Sequence, residues 1–151
     1  MIHKKQLTNF GCVYASLSMA LGNSEEYWWS KISGKKDGAH FHEVSRSLGK
    51  LKIDHNLVSL NLEFKDCWWM ELLSNRFPIL ISSTMKRQGK RGRPVVDHHA
   101  FVVFNGKIYD PSNDFELDLN SHREYKSLKV EKIIILHKEN KNFGKGLTNS
   151  I

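Results

Sequence analysis

Ala100-Phe101-Val102-Val103-Phe104, then Asn105-Gly106, then Lys107-Ile108-Tyr109-Asp110 reads as two short β-strands joined by a two-residue turn. Asn-Gly tolerates the two positive φ angles of a type I′ turn, whose twist matches that of the strands it joins. With Asn105-Gly106 as the loop, Phe101 faces Asp110 and His99 faces Ser112. Strand residues alternate between faces, so His99, Phe101, Asp110 and Ser112 project from one side and His98 from the other. His99 and Asp110 are then diagonal neighbours, about 7–8 Å apart at the backbone and within reach of a side-chain hydrogen bond. A change of one residue in loop length would reverse the choice and select His98.

Working outward from the hairpin, Phe77 to Ser82 reads as a strand led by Pro78, and Met85 to Pro94 as a basic, glycine-bearing loop. Leu57 to Leu60 and Val130 to Leu136 are further strands, with a short helix near Ser121 to Leu128. The early part of the chain is helical. Cys12 to Leu21 is apolar or small on nearly every side, as in a helix buried all round, with Gly22 as its C-terminal cap. Asn23 starts a second helix, with Glu26 three residues on. His40 to Leu48 carries Phe41, Val44 and Leu48 at helical spacing and stops at Gly49. Asp66 to Leu73 is a short helix with Trp69, Leu72 and Leu73 on its buried side. Helices first and strands later point to α+β, with an antiparallel sheet.

The chain has 151 residues, 40 % hydrophobic and 26 % charged, which is a globular composition in the size range of one domain. The expected domain is 1–137, with a loose polar tail over 138–151 that carries Gly144 and Gly146. No apolar run reaches the roughly 18 residues of a membrane span, and no signal peptide is evident. The two cysteines, Cys12 and Cys67, are expected as free thiols in a reducing cytoplasm. They make no zinc site. Neither His40-Phe41-His42 nor Asp97-His98-His99 comes with a matching second cluster, so no metal or other cofactor is expected. Trp28-Trp29 and Trp68-Trp69 read as packing residues.

Cys12 opens the buried helix, just after Gly11. A helix start favours negative charge and so favours a thiolate. A thiolate nucleophile needs a base and a group that orients the base, and the hairpin offers His99 and Asp110. Gln6, six residues before Cys12, carries an amide able to donate to an oxyanion, together with the backbone N–H at the cysteine. Taken one at a time, each of these residues also fits a packing or turn role.

As an ordered set they resemble the papain-like cysteine peptidases, in particular the bacteriocin-processing (double-glycine leader) peptidases and their stand-alone relatives. The match runs from Gln6 to His137. It takes in Gln6, Cys12, the run Val13 to Leu21 ending at Gly22, Ser47-Leu48-Gly49, the strand led by Pro78, His99 opening an apolar strand, and Asp110-Pro111. Gly11-Cys12-Val13 stands where the family usually has Asp-Cys-Gly. The resemblance implies a papain-like fold, with the cysteine helix packed on an antiparallel sheet. It implies a bacterial or phage setting and a peptide or protein substrate. It also implies acyl-enzyme chemistry, with Cys12 as nucleophile, His99 as base and later acid, Asp110 as orienter and Gln6 as oxyanion donor.

The same apparatus serves deamidation or acyl transfer when the acceptor differs. A further reading is a binding module with a vestigial triad. Lys86, Arg87, Lys90, Arg91 and Arg93 put five cations in eight residues and are expected to meet an acidic partner. The net charge of +7 is in keeping with anionic partners. No helix-turn-helix, zinc-finger or RNA-binding strand signature accompanies that run.

Overall fold

The computed structural model describes residues 1–7, 11–32, 39–120 and 123–137. The expected tail over 138–151 lies outside the described residues. Three helices come first: α1 Cys12–Leu21, α2 Glu25–Ile32 and α3 Phe41–Lys50. Strand β1 His55–Glu63, a short helix α4 Trp69–Ser74, and strands β2 Ile79–Gln88, β3 Pro94–Phe104, β4 Lys107–Tyr109, β5 Leu117–Asp118 and β6 Lys129–Leu136 follow. The strands form one sheet in the order β1-β6-β2-β3-β4-β5, antiparallel at every neighbour.

The sheet separates two apolar layers, and strand alternation assigns each residue to one of them. Leu80, Ala100, Val102, Phe104, Ile134 and Leu136 face α1, α2 and α3. Ile79, Ile81, Phe101, Val103, Val130 and Ile133 face Met70 of α4, Phe64 and Tyr125. α1 is buried along Val13–Leu21 and ends at Gly22, whose N–H donates to Ser18 O at 3.0 Å. The turn between β3 and β4 has both residues at positive φ, 53° at Asn105 and 74° at Gly106. It pairs Val102 with Tyr109, Val103 with Ile108 and Phe104 with Lys107. This register keeps His99 and Asp110 on one side of the sheet.

Several expectations are corrected. Met85 to Pro94 is not a loop: β2 continues to Gln88, β3 begins at Pro94, and only a tight turn around Lys90–Gly92 joins them. Cross-strand pairing carries the polar arms beyond the apolar run that marks the strand in sequence. At Gly89 the backbone closes on Val95 so tightly that a Cβ would lie 2.4 Å from Cγ2 of that valine. α3 passes through Gly49 to Lys50, a place where nothing crowds the glycine. α2 takes its side-chain cap from Ser24, whose Oγ accepts from Tyr27 N at 3.0 Å, while Asn23 makes the preceding bend at φ 66°. Of the α4 residues expected on the buried side, Leu72 is exposed and Met70 is buried in its place. Trp68 is 75 % exposed, whereas Trp28 is buried with its indole N–H donating to Gly22 O at 2.7 Å. Among the described residues, the helix expected near Ser121–Leu128 is a single turn of 3-10 helix at Arg123–Tyr125.

Candidate active site

β4 runs beside β3 only from Val102 on, so among the described residues no strand flanks the outer edge of β3 before that point, and the start of α1 comes near it at His99. Cys12 sits there, half-buried, after Gly11. Gly11 provides no side-chain cap, and the first helical bond is Ala15 N to Gly11 O at 2.9 Å. As at any helix start, the N–H of Cys12 has no partner within the helix.

His99 stands between Cys12 and Asp110. Its Nε2–H donates to Asp110 Oδ1 at 2.6 Å, and Cys12 lies close enough to act electrostatically on the ring. Nε2 is thus taken by the carboxylate. Burial alone would lower the His99 pKa. The hydrogen bond and charge of Asp110, together with the interaction with Cys12, outweigh it and raise the value from 6.5 to about 10. Burial alone would raise the Asp110 pKa. The bond and charge of His99, then the bonds from Tyr125 and from Ser112 N–H, bring it down from 3.8 to about 2. The imidazolium–carboxylate pair is therefore the favoured form at neutral pH.

Asp110 is held on every side. Tyr125 OH donates to Oδ2 at 2.5 Å, and the Ser112 N–H and Oγ–H donate to Oδ1 at 2.9 and 2.8 Å. Asn113 Nδ2 donates to the Tyr125 oxygen at 3.1 Å, which keeps the phenol aimed at the carboxylate. Burial first, then the bond to Asp110, raises the Tyr125 pKa, so its proton stays in place. His3 Nε2–H donates to the Asp110 carbonyl at 2.8 Å. Sequence patterning misses Tyr125 and His3. For Tyr125 the signal is chemical: a buried carboxylate needs more donors than one histidine supplies.

Gln6 is anchored near this group through its backbone N–H, which donates to Pro111 O at 2.8 Å. The first residues lie across the molecule, with Lys4 Nζ donating to Ser18 Oγ at 2.9 Å and Leu7 N to Glu25 Oε2 at 3.0 Å. His98 projects from the opposite side of β3 and is exposed. Cys67 lies apart, buried in the layer under α4, and burial pushes its thiol pKa up. A pocket of about 320 Å³ adjoins His99 and Asp110, lined also by Ser83, Met85, Asn113, Tyr125 and Leu128. Among the described residues, no group of three or more His, Cys, Asp or Glu side chains is placed to hold a metal ion. No helix among them is long and apolar enough to cross a membrane.

No protein-family model matches the chain, and no curated protein matches it. A solved structure does: the peptidase domain of Streptococcus ComA, described as a bi-functional ABC transporter involved in a quorum-sensing pathway. The TM-score is 0.54 at 16 % identity, over 91 % of this chain and 98 % of that one. Helices packed on an antiparallel sheet, superposable on that domain over nearly its whole length, give this chain the papain-like cysteine peptidase fold.

Proposed function

We propose that the protein is a cysteine hydrolase acting on peptide or protein substrates through an acyl-enzyme. The observation that carries this reading is that one imidazole, His99, is bonded to a buried carboxylate and interacts with the thiol at the start of α1. A buried His–Asp pair alone would be a structural feature. The added sulfur, at a helix start beside an open strand edge, is what a nucleophile requires.

Cys12 Sγ attacks the substrate carbonyl carbon, and the oxygen takes up the electron pair. The Cys12 N–H and the Gln6 side-chain amide are the groups assigned to that oxyanion. As the tetrahedral centre collapses, the C–N bond breaks and His99 gives its proton to the leaving amine. The sulfur is then an uncharged thioester. Its share in raising the His99 pKa is gone, and the ring becomes a better base for the water that releases the acid product. Asp110 keeps the ring turned toward the sulfur through both halves.

The test is a peptide library incubated with the protein and read by mass spectrometry, together with a peptidyl aldehyde as a trap. Cleavage by the wild type, none by Cys12→Ala, and a hemithioacetal on Cys12 are expected. A folded wild type that neither cleaves nor is trapped would overturn the reading.

A further inference from the structure

The β2–β3 hairpin is longer than the sheet it belongs to. β6 accompanies β2 only as far as Thr84, opposite Lys129, and β4 accompanies β3 only from Val102. The two strands run on as a pair to Gln88 and Pro94. Met85 to Asp97 is therefore a two-stranded arm that, among the described residues, has no strand on either flank. All of it is exposed except Gly89 and Val95, which are half-buried.

The arm carries Lys86, Arg87, Lys90, Arg91 and Arg93 against a single acidic residue, Asp97. Arg87 Nε is paired with Asp97 Oδ2 at 2.5 Å. Lys86, Lys90, Arg91 and Arg93 have no ion-pair partner among the described residues. Charge on an open edge discourages pairing with other chains, but either sign would serve that purpose. Here the unpaired charge is of one sign.

Two further features narrow the partner. The arm has no Phe, Tyr or Trp between Met85 and His98, so it offers no platform on which bases stack. It does offer the open backbone edge of β3, on the strand that continues into His99. An extended peptide adds to such an edge through main-chain hydrogen bonds.

We infer that the arm is a docking site for an extended acidic peptide segment. The segment pairs with the edge of β3, and its carboxylates meet Lys86, Lys90, Arg91 and Arg93. That the segment belongs to a substrate rests on the hydrolase reading above. At about 3.3 Å per strand residue, Val96, which faces Lys86, is about 10 Å and Arg93 about 20 Å from His99. The acidic residues therefore belong about three to six positions from the bond that is cut, and further out toward the turn.

The experiment measures fluorescence anisotropy of a labelled peptide with a run of glutamates on Cys12→Ala protein, where turnover does not interfere. Its partners are the same peptide with glutamines, the glutamate peptide N-methylated at alternate backbone positions, and a short DNA duplex. The glutamate peptide should bind about tenfold tighter to the unaltered arm than to the Lys86→Gln, Lys90→Gln, Arg91→Gln, Arg93→Gln variant, the size expected of four exposed ion pairs. That binding should weaken with salt, and N-methylation should weaken it further. Equal affinity for the glutamate and glutamine peptides overturns the inference, and this comparison stands even where the fourfold variant fails to fold. Indifference to N-methylation overturns the strand-pairing part. Tighter binding of the duplex assigns the arm to nucleic acid instead. None of these readouts needs catalysis, so a failure of Cys12 chemistry refutes the hydrolase reading alone.

Discussion

Tyr125 and His99 hold the two oxygens of one carboxylate: the phenol donates to Asp110 Oδ2 at 2.5 Å while the imidazole donates to Oδ1 at 2.6 Å. Tyr125→Phe removes one donor from a buried charge and little volume. The expected cost is about 1.5–3 kcal/mol of stability, as for a hydrogen bond to a charged group. With one donor fewer the Asp110 carboxylate holds a proton more readily, so its pKa rises from about 2 toward the ordinary carboxylate value. The check is denaturant unfolding across acid pH, where the variant should lose less stability than the wild type between pH 3.8 and about 2, because less of the Asp110 shift is left to lose. An unchanged acid profile would make Tyr125 a packing residue only.

The neighbouring histidines separate by face. His99→Ala is expected to slow peptide cleavage by several orders of magnitude, since members of such a group act as a unit. It should also slow iodoacetamide labelling of Cys12 at neutral pH by about tenfold or more, because the paired cation is lost. His98, exposed on the other side of β3, should leave the labelling rate within about twofold when replaced by Ala. The reverse ranking would mean that His98 is the base.

The pair also sets a pH window for stability. The His99 pKa is raised above its unfolded value of 6.5, so its contribution is full below pH 6.5 and is lost as pH rises toward about 10. The Asp110 pKa is lowered, so its contribution is full above pH 3.8 and is lost as pH falls toward about 2. The stability gap between wild type and Asp110→Asn should form a plateau between those two unfolded values and shrink on either side. Urea midpoints across the range read this directly. A gap that is flat with pH would show that the pair folds uncharged.

The two thiols should react differently. Cys67 is buried, and burial, then the nearby Asp66 carboxylate, pushes its pKa up. In the folded protein, alkylation followed by peptide mapping should find Cys12 modified and Cys67 untouched until denaturant is added. Cys67→Ala is expected to leave activity largely intact.

What is legible in the sequence is local. Asn105-Gly106 sets a register, and the register puts His99 and Asp110 on one face. The buried run Cys12 to Leu21 shows as a helix because it is apolar all round. What is hidden depends on the third dimension. Tyr125 and His3 reach Asp110 across loops whose course no periodicity records. The stretch from Met85 to Pro94 looks like a loop because its strand residues are mostly polar and lack alternation. Gly49 looks like a stop, yet packing of Val44 and Leu48 carries α3 past it.

The order of the sheet has a consequence for how the chain is made. β6, Lys129–Leu136, lies between β1 and β2, so both of its neighbours are synthesised long before it. On the ribosome, β2 to β5 can assemble as a meander while β1 waits. The edges of β1 and β2 stay bare until Ile133 and Ile134 emerge to bridge them. Release of the nascent chain before that point leaves two unpaired templates for aggregation. A nonsense change anywhere before Leu136 should therefore yield insoluble product, with no partly active fragment.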